Sequence, residues 1–152
     1  MKTENLQEWI GKTEERSDCL NAFPANAMAA TLNHKQLDYS ENKNLPPLWH
    51  WLYFLPIFKL SDAGYDGHAA LGDFLPPVQL PRRMWAGSRI EFLSPLKVGH
   101  EYKKTSKIKN VTAKSGRSGD LVFVTVSHEV SNGPTICINE EHDIVYREKA
   151  TS

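Results

Sequence analysis

The chain has 152 residues, 40% of them hydrophobic and 24% charged, with 18 basic side chains against 18 acidic ones. That length is enough to bury a core in one domain, taken as residues 1–152, and the composition excludes a disordered chain. Zero formal net charge argues against a nucleic-acid binder, and it leaves the surface poorly protected from association.

Asn5, followed three residues later by Glu8, reads as a helix cap with its reciprocal partner. Leu6, Trp9 and Ile10 then share a helical face, and Gly11 stops the helix. Thr13 to Phe23 is polar and partly alternating, and is expected to hold a first strand. Pro24 suits the first turn of a helix over 25–33, rich in alanine and methionine, with Asn33 as its left-handed end. A helix of such small residues is expected to be wrapped by other elements. The run Leu45 to Phe58, LPPLWHWLYFLPIF, is bulky enough to predict a buried strand. From Lys59 to Arg83 there is no period, only glycine and proline punctuation. A loop that long inside a compact domain is usually functional or contacts a partner.

The chain then changes character. Arg83 to Ser94 reads as a strand closed by Pro95, and 95–101 as a turn. Residues 101–114 form a long polar strand, SGRSGD a hairpin turn, and LVFVTVSHEV (121–130) the clearest strand. Leu121, Phe123 and Thr125 point one way and Val122, Val124 and Val126 the other, which predicts a sheet covered on both sides there. After the SNGP turn, Ile136, Ile138, His142, Ile144 and Tyr146 alternate with Cys137, Asn139, Asp143 and Val145. The architecture implied is α+β: early helices, then antiparallel strands in meander order, with one helix against a strongly curved sheet.

Candidate chemistry is scattered. His50, between Trp49 and Trp51, is either a strand histidine facing solvent or a backbone carbonyl, or a ligand or base. Asp66 and His68 resemble an acid–imidazole pair, but on a glycine-rich loop. His142 and Asp143 are strand neighbours, so their side chains point to opposite faces. His128 reads as structural. Arg82 and Arg83 stand at the end of a proline-stiffened loop. Guanidinium forks suit phosphate or carboxylate, so each arginine is either an anion contact or a structural ion pair. Arg117 reads as a solvated turn residue. Cys19 and Cys137 have neither metal-ligand nor redox spacing, and Cys137 reads as a small buried residue. The sequence holds no phosphate loop, nucleophile elbow or zinc-protease motif. The first twenty residues are charged and polar, unlike a secretory leader, and the apolar stretch 48–60 is broken by His50, Pro56 and Lys59. A cytoplasmic enzyme or enzyme subunit, with no membrane partner, is the expected class.

The runs PPLWHWLYFLP, GDFLPPVQLPRRMWAGSRIEF, PLKVG, KSGRSGDLVFVTVSHEVS and EEHDIVYRE, in that order, resemble the N-terminal hot-dog domain of the MaoC-like hydratase/dehydratase family. The resemblance is to the branch with mesaconyl-CoA and itaconyl-CoA hydratases. It implies a hot-dog fold, a central helix wrapped by an antiparallel sheet, with an acyl-CoA thioester as substrate and no further cofactor. Relatives that act alone carry two hot-dog domains, and the second supplies a catalytic Asp-x-Asn-Pro-x-His pattern. No such pattern occurs here, so no catalytic residue carries over. The resemblance therefore implies a non-catalytic or substrate-binding subunit, paired with a catalytic hot-dog chain. Arg82, Arg83, Trp85, His50 and Trp49 are the candidate substrate or interface residues. Two alternatives stay open: a self-sufficient homodimeric hydratase or thioesterase using Asp66, His68 or His142, and an acyl-CoA-binding module without turnover.

Overall fold

The computed structural model describes residues 4–35, 38–116 and 119–149. The Asn5 side chain and Arg117, both singled out above, lie outside what is described.

Five antiparallel strands form one sheet: β1 (Thr13–Cys19), β2 (Arg82–Phe92), β3 (Glu101–Gly116), β4 (Gly119–Asn132) and β5 (Thr135–Arg147). Their spatial order is β1-β3-β4-β5-β2, so only β3 to β5 form a meander. β2 crosses to the far edge and pairs with β5. Both hairpins follow from local chemistry. Gly116 pairs with Gly119 across the first, and Gly133, at φ 53°, turns the second before Pro134. A bulge at Ala86 interrupts β2, and register shifts also mark β3 and β4. Such bulges bend strands and strengthen their twist.

One helix, α1 (Ala22–Thr31), lies on one face of this sheet. It starts three residues earlier than the sequence suggests, because the Asn21 side chain caps it by accepting the Phe23 amide at 3.2 Å. Pro24 still falls in the first turn, where its missing N–H costs nothing. Asn33 has the expected left-handed backbone, at φ 50°. Ala25 and Ala29, one turn apart and fully buried, let the helix settle onto Tyr102, Val130 and Ile138. The opposite side is bare: Phe23 is 79% exposed. The helix packs on the sheet as the expected central helix, with its outward side uncovered by this chain. The opening segment Glu4–Trp9 is 3-10 rather than α-helical.

Leu45 to Phe58 is not a strand. Pro46 and Pro47 lack amide donors, and Leu48 (φ 71°) and Phe54 (φ 57°) adopt left-handed backbone that a strand cannot contain. Between them Trp49–Leu52 makes a single 3-10 turn. The turn is tied down by the Phe54 amide on Asp18 Oδ2 at 2.8 Å and the Tyr53 hydroxyl on the Asn21 carbonyl at 2.7 Å. Of the bulk that suggested a strand, Leu45, Tyr53 and Phe54 are buried in the cluster that holds α1, while Leu55 and Ile57 are exposed. The stretch from Lys59 to β2 is irregular, as expected, with one short 3-10 turn at Leu60–Asp62.

Only the face bearing α1 is a core face. Val122, Val124 and Val126 are buried, whereas Leu121, Phe123 and Thr125 are half-buried on the outer face. That face is charged, with Arg89 bridging Asp143 at 2.7 Å and Glu141 at 2.8 Å. The sheet is therefore not covered on both sides by this chain. The inner face carries two separate apolar clusters. One gathers α1 with Tyr102, Val130 and Ile138; the other gathers Leu6, Val78 and Leu80 with Ile108, Val124 and Ile144.

A candidate site on the inner face of the sheet

Between the two apolar clusters a polar belt crosses the sheet. Strand register builds it. Ser106 on β3 pairs with His128 on β4, and His128 pairs with Glu140 on β5. One step along, His142 pairs with Ser88 on β2. Lys104 precedes Ser106 on the same face. Alternation places all of these inward, on the side of Val126, Ile138 and Ile144.

Glu140 is the centre of the belt, at 7% exposure. Its carboxylate accepts from His50 Nε2 at 3.3 Å and from Trp51 Nε1 at 3.2 Å on one oxygen. The Ser88 hydroxyl reaches the other oxygen at 3.4 Å, and Trp85 Nε1 donates to that hydroxyl at 3.2 Å. Burial pushes the Glu140 carboxyl up, but the hydrogen bonds from His50 and Trp51, with the nearby His128, outweigh it and hold it below the usual range. The group is thus an ionised carboxylate that only accepts, which assigns the proton on His50 to Nε2.

His50 is 4% exposed, and its other ring nitrogen, Nδ1, has no hydrogen-bond partner among the described residues. The His50 residue borders a cavity of about 340 Å³ walled by Leu45, Pro46, Pro47, Phe92, Leu93 and Ile138. The other histidines of the belt are suppressed. Burial, then repulsion from Lys104, lowers His128 to about 4, while its Nδ1 lies 2.9 Å from Ser106 Oγ. Burial also lowers His142 and Lys104, the latter with help from Arg16. Among the described residues no group of three or more His, Cys, Asp or Glu is placed to hold a metal.

The candidate residues divide. His50 and Trp85 are brought together, through Ser88 and Glu140. His50 is not a strand histidine facing solvent or a carbonyl; it is buried against a carboxylate. Arg83 is locked to Asp66, Nη2 to Oδ2 at 2.9 Å, so it is a structural ion pair to the loop. Burial raises the Asp66 carboxyl, but the His68 amide and Arg83 more than reverse this. Asp66 also stands 3.5 Å from His68 Nδ1, so the acid–imidazole pair exists but its acid is already engaged by Arg83. Arg82 is exposed, and Trp49 packs on Tyr39 at 5.1 Å between ring centroids. Glu140, Ser88, Ser106 and Lys104 were missed from sequence. The signal was present: Glu140 shares the parity of Ile138 and Ile144.

The sheet's edge at β2 is also distinctive. Trp85 is 65% exposed and Met84 47%. The preceding loop bares Leu55 at 63%, Ile57 at 100% and Leu60 at 90%. Scattered apolar residues are ordinary on a surface, whereas here several large ones follow one another along one loop.

A single helix on one face of an antiparallel five-stranded sheet of order β1-β3-β4-β5-β2 defines a hot-dog protein. Residues 48–152 match the model of hydroxyacyl-thioester dehydratase type 2, Htd2, and the chain belongs to that family. It is 46% identical over 148 residues to the mesaconyl-C(4)-CoA hydratase of Chloroflexus aurantiacus. That match takes in 97% of this chain but 53% of the relative, so the chain spans about half the relative's length. Among solved structures, the chain is similar to one in the ChsH1-ChsH2 complex from Mycobacterium tuberculosis, with a TM-score of 0.71 and 12% identity over 99% of this chain and 96% of that one. R-hydratase PhaJ1 from Pseudomonas aeruginosa, unliganded, gives 0.53 and 14% over 92% and 83%. These two likenesses show the fold, and the family rests on the sequence matches.

Proposed function

We propose that the chain is one hot-dog subunit of an enoyl-CoA hydratase acting on a short dicarboxylic acyl thioester. The partner is a second hot-dog chain that supplies the catalytic acid and base. The observation that carries this reading is the pairing of two facts: the chain aligns along nearly all of its length with about half of a hydratase, and it bares Trp85, Met84, Ile57 and Leu60 where a second unit would dock. The solved neighbour with the higher TM-score of the two is itself from a complex of ChsH1 with ChsH2.

The division of labour follows from the chemistry. Hydration of an enoyl thioester needs a base to take a proton from water and an acid to deliver one to the α-carbon. Glu140 is poorly suited to the first role, since its oxygens already accept from His50, Trp51 and Ser88. His128 and His142 are lowered by burial and cannot serve readily as acids. This chain would shape the acyl pocket while the partner's Asp-x-Asn-Pro-x-His loop performs the proton transfers. No further cofactor is needed for that reaction.

A second reading, catalysis by this chain alone as a homodimer using Asp66, His68 or His142, draws on the Asp66–His68 contact at 3.5 Å. Co-expression with a hot-dog chain bearing the Asp-x-Asn-Pro-x-His pattern separates the two. The proposal expects a stable heteromer on size-exclusion chromatography. Failure to co-purify, with the chain forming an active homodimer, would reverse it. A cytoplasmic location fits both free thiols, Cys19 and Cys137. No helix among the described residues is long and apolar enough to cross a membrane.

A further inference from the structure

We infer that Glu140 is the positioning residue of an acyl seat: its carboxylate pins the turn Trp49–Leu52 over the sheet, and the cavity beside that turn takes the acyl end of the thioester. The inference rests on the hydratase reading and goes on to assign where the acyl end sits and what holds that place open.

The cavity of about 340 Å³ has two walls from distant parts of the chain. One is a strap, residues 44–50; the other runs from Phe92, at the end of β2, to Leu96, with Ile138 beside it. The strap is tied at its start by backbone. The Leu45 amide donates to the Leu96 carbonyl at 2.7 Å, and Asn44 bridges to Lys97. Pro46 and Pro47 bring no amide hydrogen, and Leu48 is left-handed at φ 71°, so the strap cannot pair with the sheet beyond that point. Its next hydrogen-bonded tie to the sheet is Glu140, which accepts from His50 Nε2 at 3.3 Å and Trp51 Nε1 at 3.2 Å. Within the turn, the Trp49, Trp51 and Tyr53 amides donate to the Pro46, Leu48 and His50 carbonyls, each at 3.1 Å, and these local bonds fasten it to nothing else. Further on, Tyr53 and Phe54 are held separately, by Asn21 and Asp18. The cavity is the space that the two ties leave between strap and sheet.

Its lining is largely apolar, with Pro46, Pro47, Phe92, Leu93 and Ile138, and its volume is at the small end for ligand sites. That suits an acyl end rather than the nucleotide of coenzyme A. The cavity is not sealed: Phe92 is 46% exposed and Leu93 54% at its edge. Both stand at the end of β2, the edge strand that also bares Met84 and Trp85, where the second hot-dog unit is placed. A thioester held by the partner reaches the recess across that shared edge. Each methylene taken out of water there strengthens binding about fourfold. The gain depends on walls that are already in place, because a wall that must be ordered on binding takes back part of it. Glu140 supplies that order from the sheet side.

Butyryl-CoA and free coenzyme A, titrated calorimetrically into the chain with its co-purifying partner, read the acyl contribution without turnover. Wild type is expected to bind butyryl-CoA at least tenfold more tightly than coenzyme A. Glu140→Gln should bring that ratio close to one and leave the affinity for coenzyme A itself unchanged. Leu93→Trp, which fills the cavity from its exposed edge, should do the same. Hydrogen exchange separates the two variants. Glu140→Gln should speed exchange of the Trp51 and Tyr53 amides at least tenfold and leave the Val124 and Val126 amides of β4 at wild-type rates; Leu93→Trp should change neither. Should Glu140→Gln loosen β4 as well, Trp51→Phe, which removes one pinned donor, carries the same expectation. A ratio that survives Leu93→Trp would overturn the seat, and one that survives Glu140→Gln, or unchanged exchange at Trp51, would overturn the role of Glu140. A wild-type ratio near one, with co-purification lost in Leu93→Trp, would make the recess a socket for a partner side chain instead. An assembly that hydrates enoyl-CoA with no acyl contribution to binding would keep the hydratase reading and discard the seat. The contribution without any hydration would do the reverse.

Discussion

Glu140 and His50 meet at 3.3 Å across 90 positions of chain, each less than a tenth exposed. The contact joins an irregular loop to the inner face of the sheet. It also separates two apolar clusters that would otherwise merge into one core. A buried carboxylate with three donors is a fixed feature, because removing it leaves every donor unpaired.

Replacing Glu140 by alanine should therefore cost about 2–4 kcal/mol of stability, read by urea denaturation. The His50→Phe/Glu140→Leu double variant should regain part of that loss, since it replaces one of the three donors together with the acceptor and leaves Trp51 and Ser88 unpaired. An alanine variant within about 0.5 kcal/mol of wild type would mean that the pair holds nothing together.

Acid should weaken the fold through His128. Its folded pKa is lowered to about 4, below the unfolded value of about 6.5. The unfolded chain takes up a proton first, so stability is full above pH 6.5 and falls as pH drops toward 4. The groups facing it, Lys104, His142 and His50 against Glu140, set the size of this effect. The full loss is on the order of 3 kcal/mol, shared among coupled neighbours. His128→Gln should flatten the denaturation midpoint between pH 6.5 and 4. A variant with the wild-type slope would exclude His128 as the source.

The two arginines should behave differently. Arg83 holds Asp66 at 2.9 Å and so pins the 63–69 loop to β2. Arg83→Ala should cost about 1 kcal/mol and raise proteolytic cleavage in that loop. Arg82 is exposed, and Arg82→Ala should leave stability within about 0.5 kcal/mol. Equal effects would remove the distinction.

Charges placed on the bare loop should block assembly and spare the fold. Ile57 is fully exposed and Leu60 is 90% exposed, so Ile57→Asp and Leu60→Asp lose no packing within the chain. Their thermal midpoints should stay near wild type while co-purification with the partner is lost. Retained co-purification would place the interface elsewhere.

Much of the fold could be read from alternation. Strands β3, β4 and β5 announce themselves through period-two patterns, and glycine marks their turns. The segment from Leu45 to Phe58 could not be read this way. Its aromatic bulk looks like a strand, and only Pro46, Pro47 and the left-handed Leu48 and Phe54 forbid one. The β2 crossover was hidden because pairing with β5 is a long-range choice. Of the site, His50 and Trp85 were singled out, yet what joins them was not. Glu140 sits beside Glu141 in a charged run and reads as solvated. Only its parity with Ile138 and Ile144 places it inside. Arg83 reads as either an anion contact or an ion pair, and the structure pairs it with Asp66.

The most direct test of the central claim is hydration of mesaconyl-C(4)-CoA, followed at the enoyl-thioester absorbance band, by the purified chain with and without a partner bearing the Asp-x-Asn-Pro-x-His loop. The account predicts no turnover by the chain alone and clear turnover once the two are combined. Turnover by the pure chain at the rate of the mixture would contradict it.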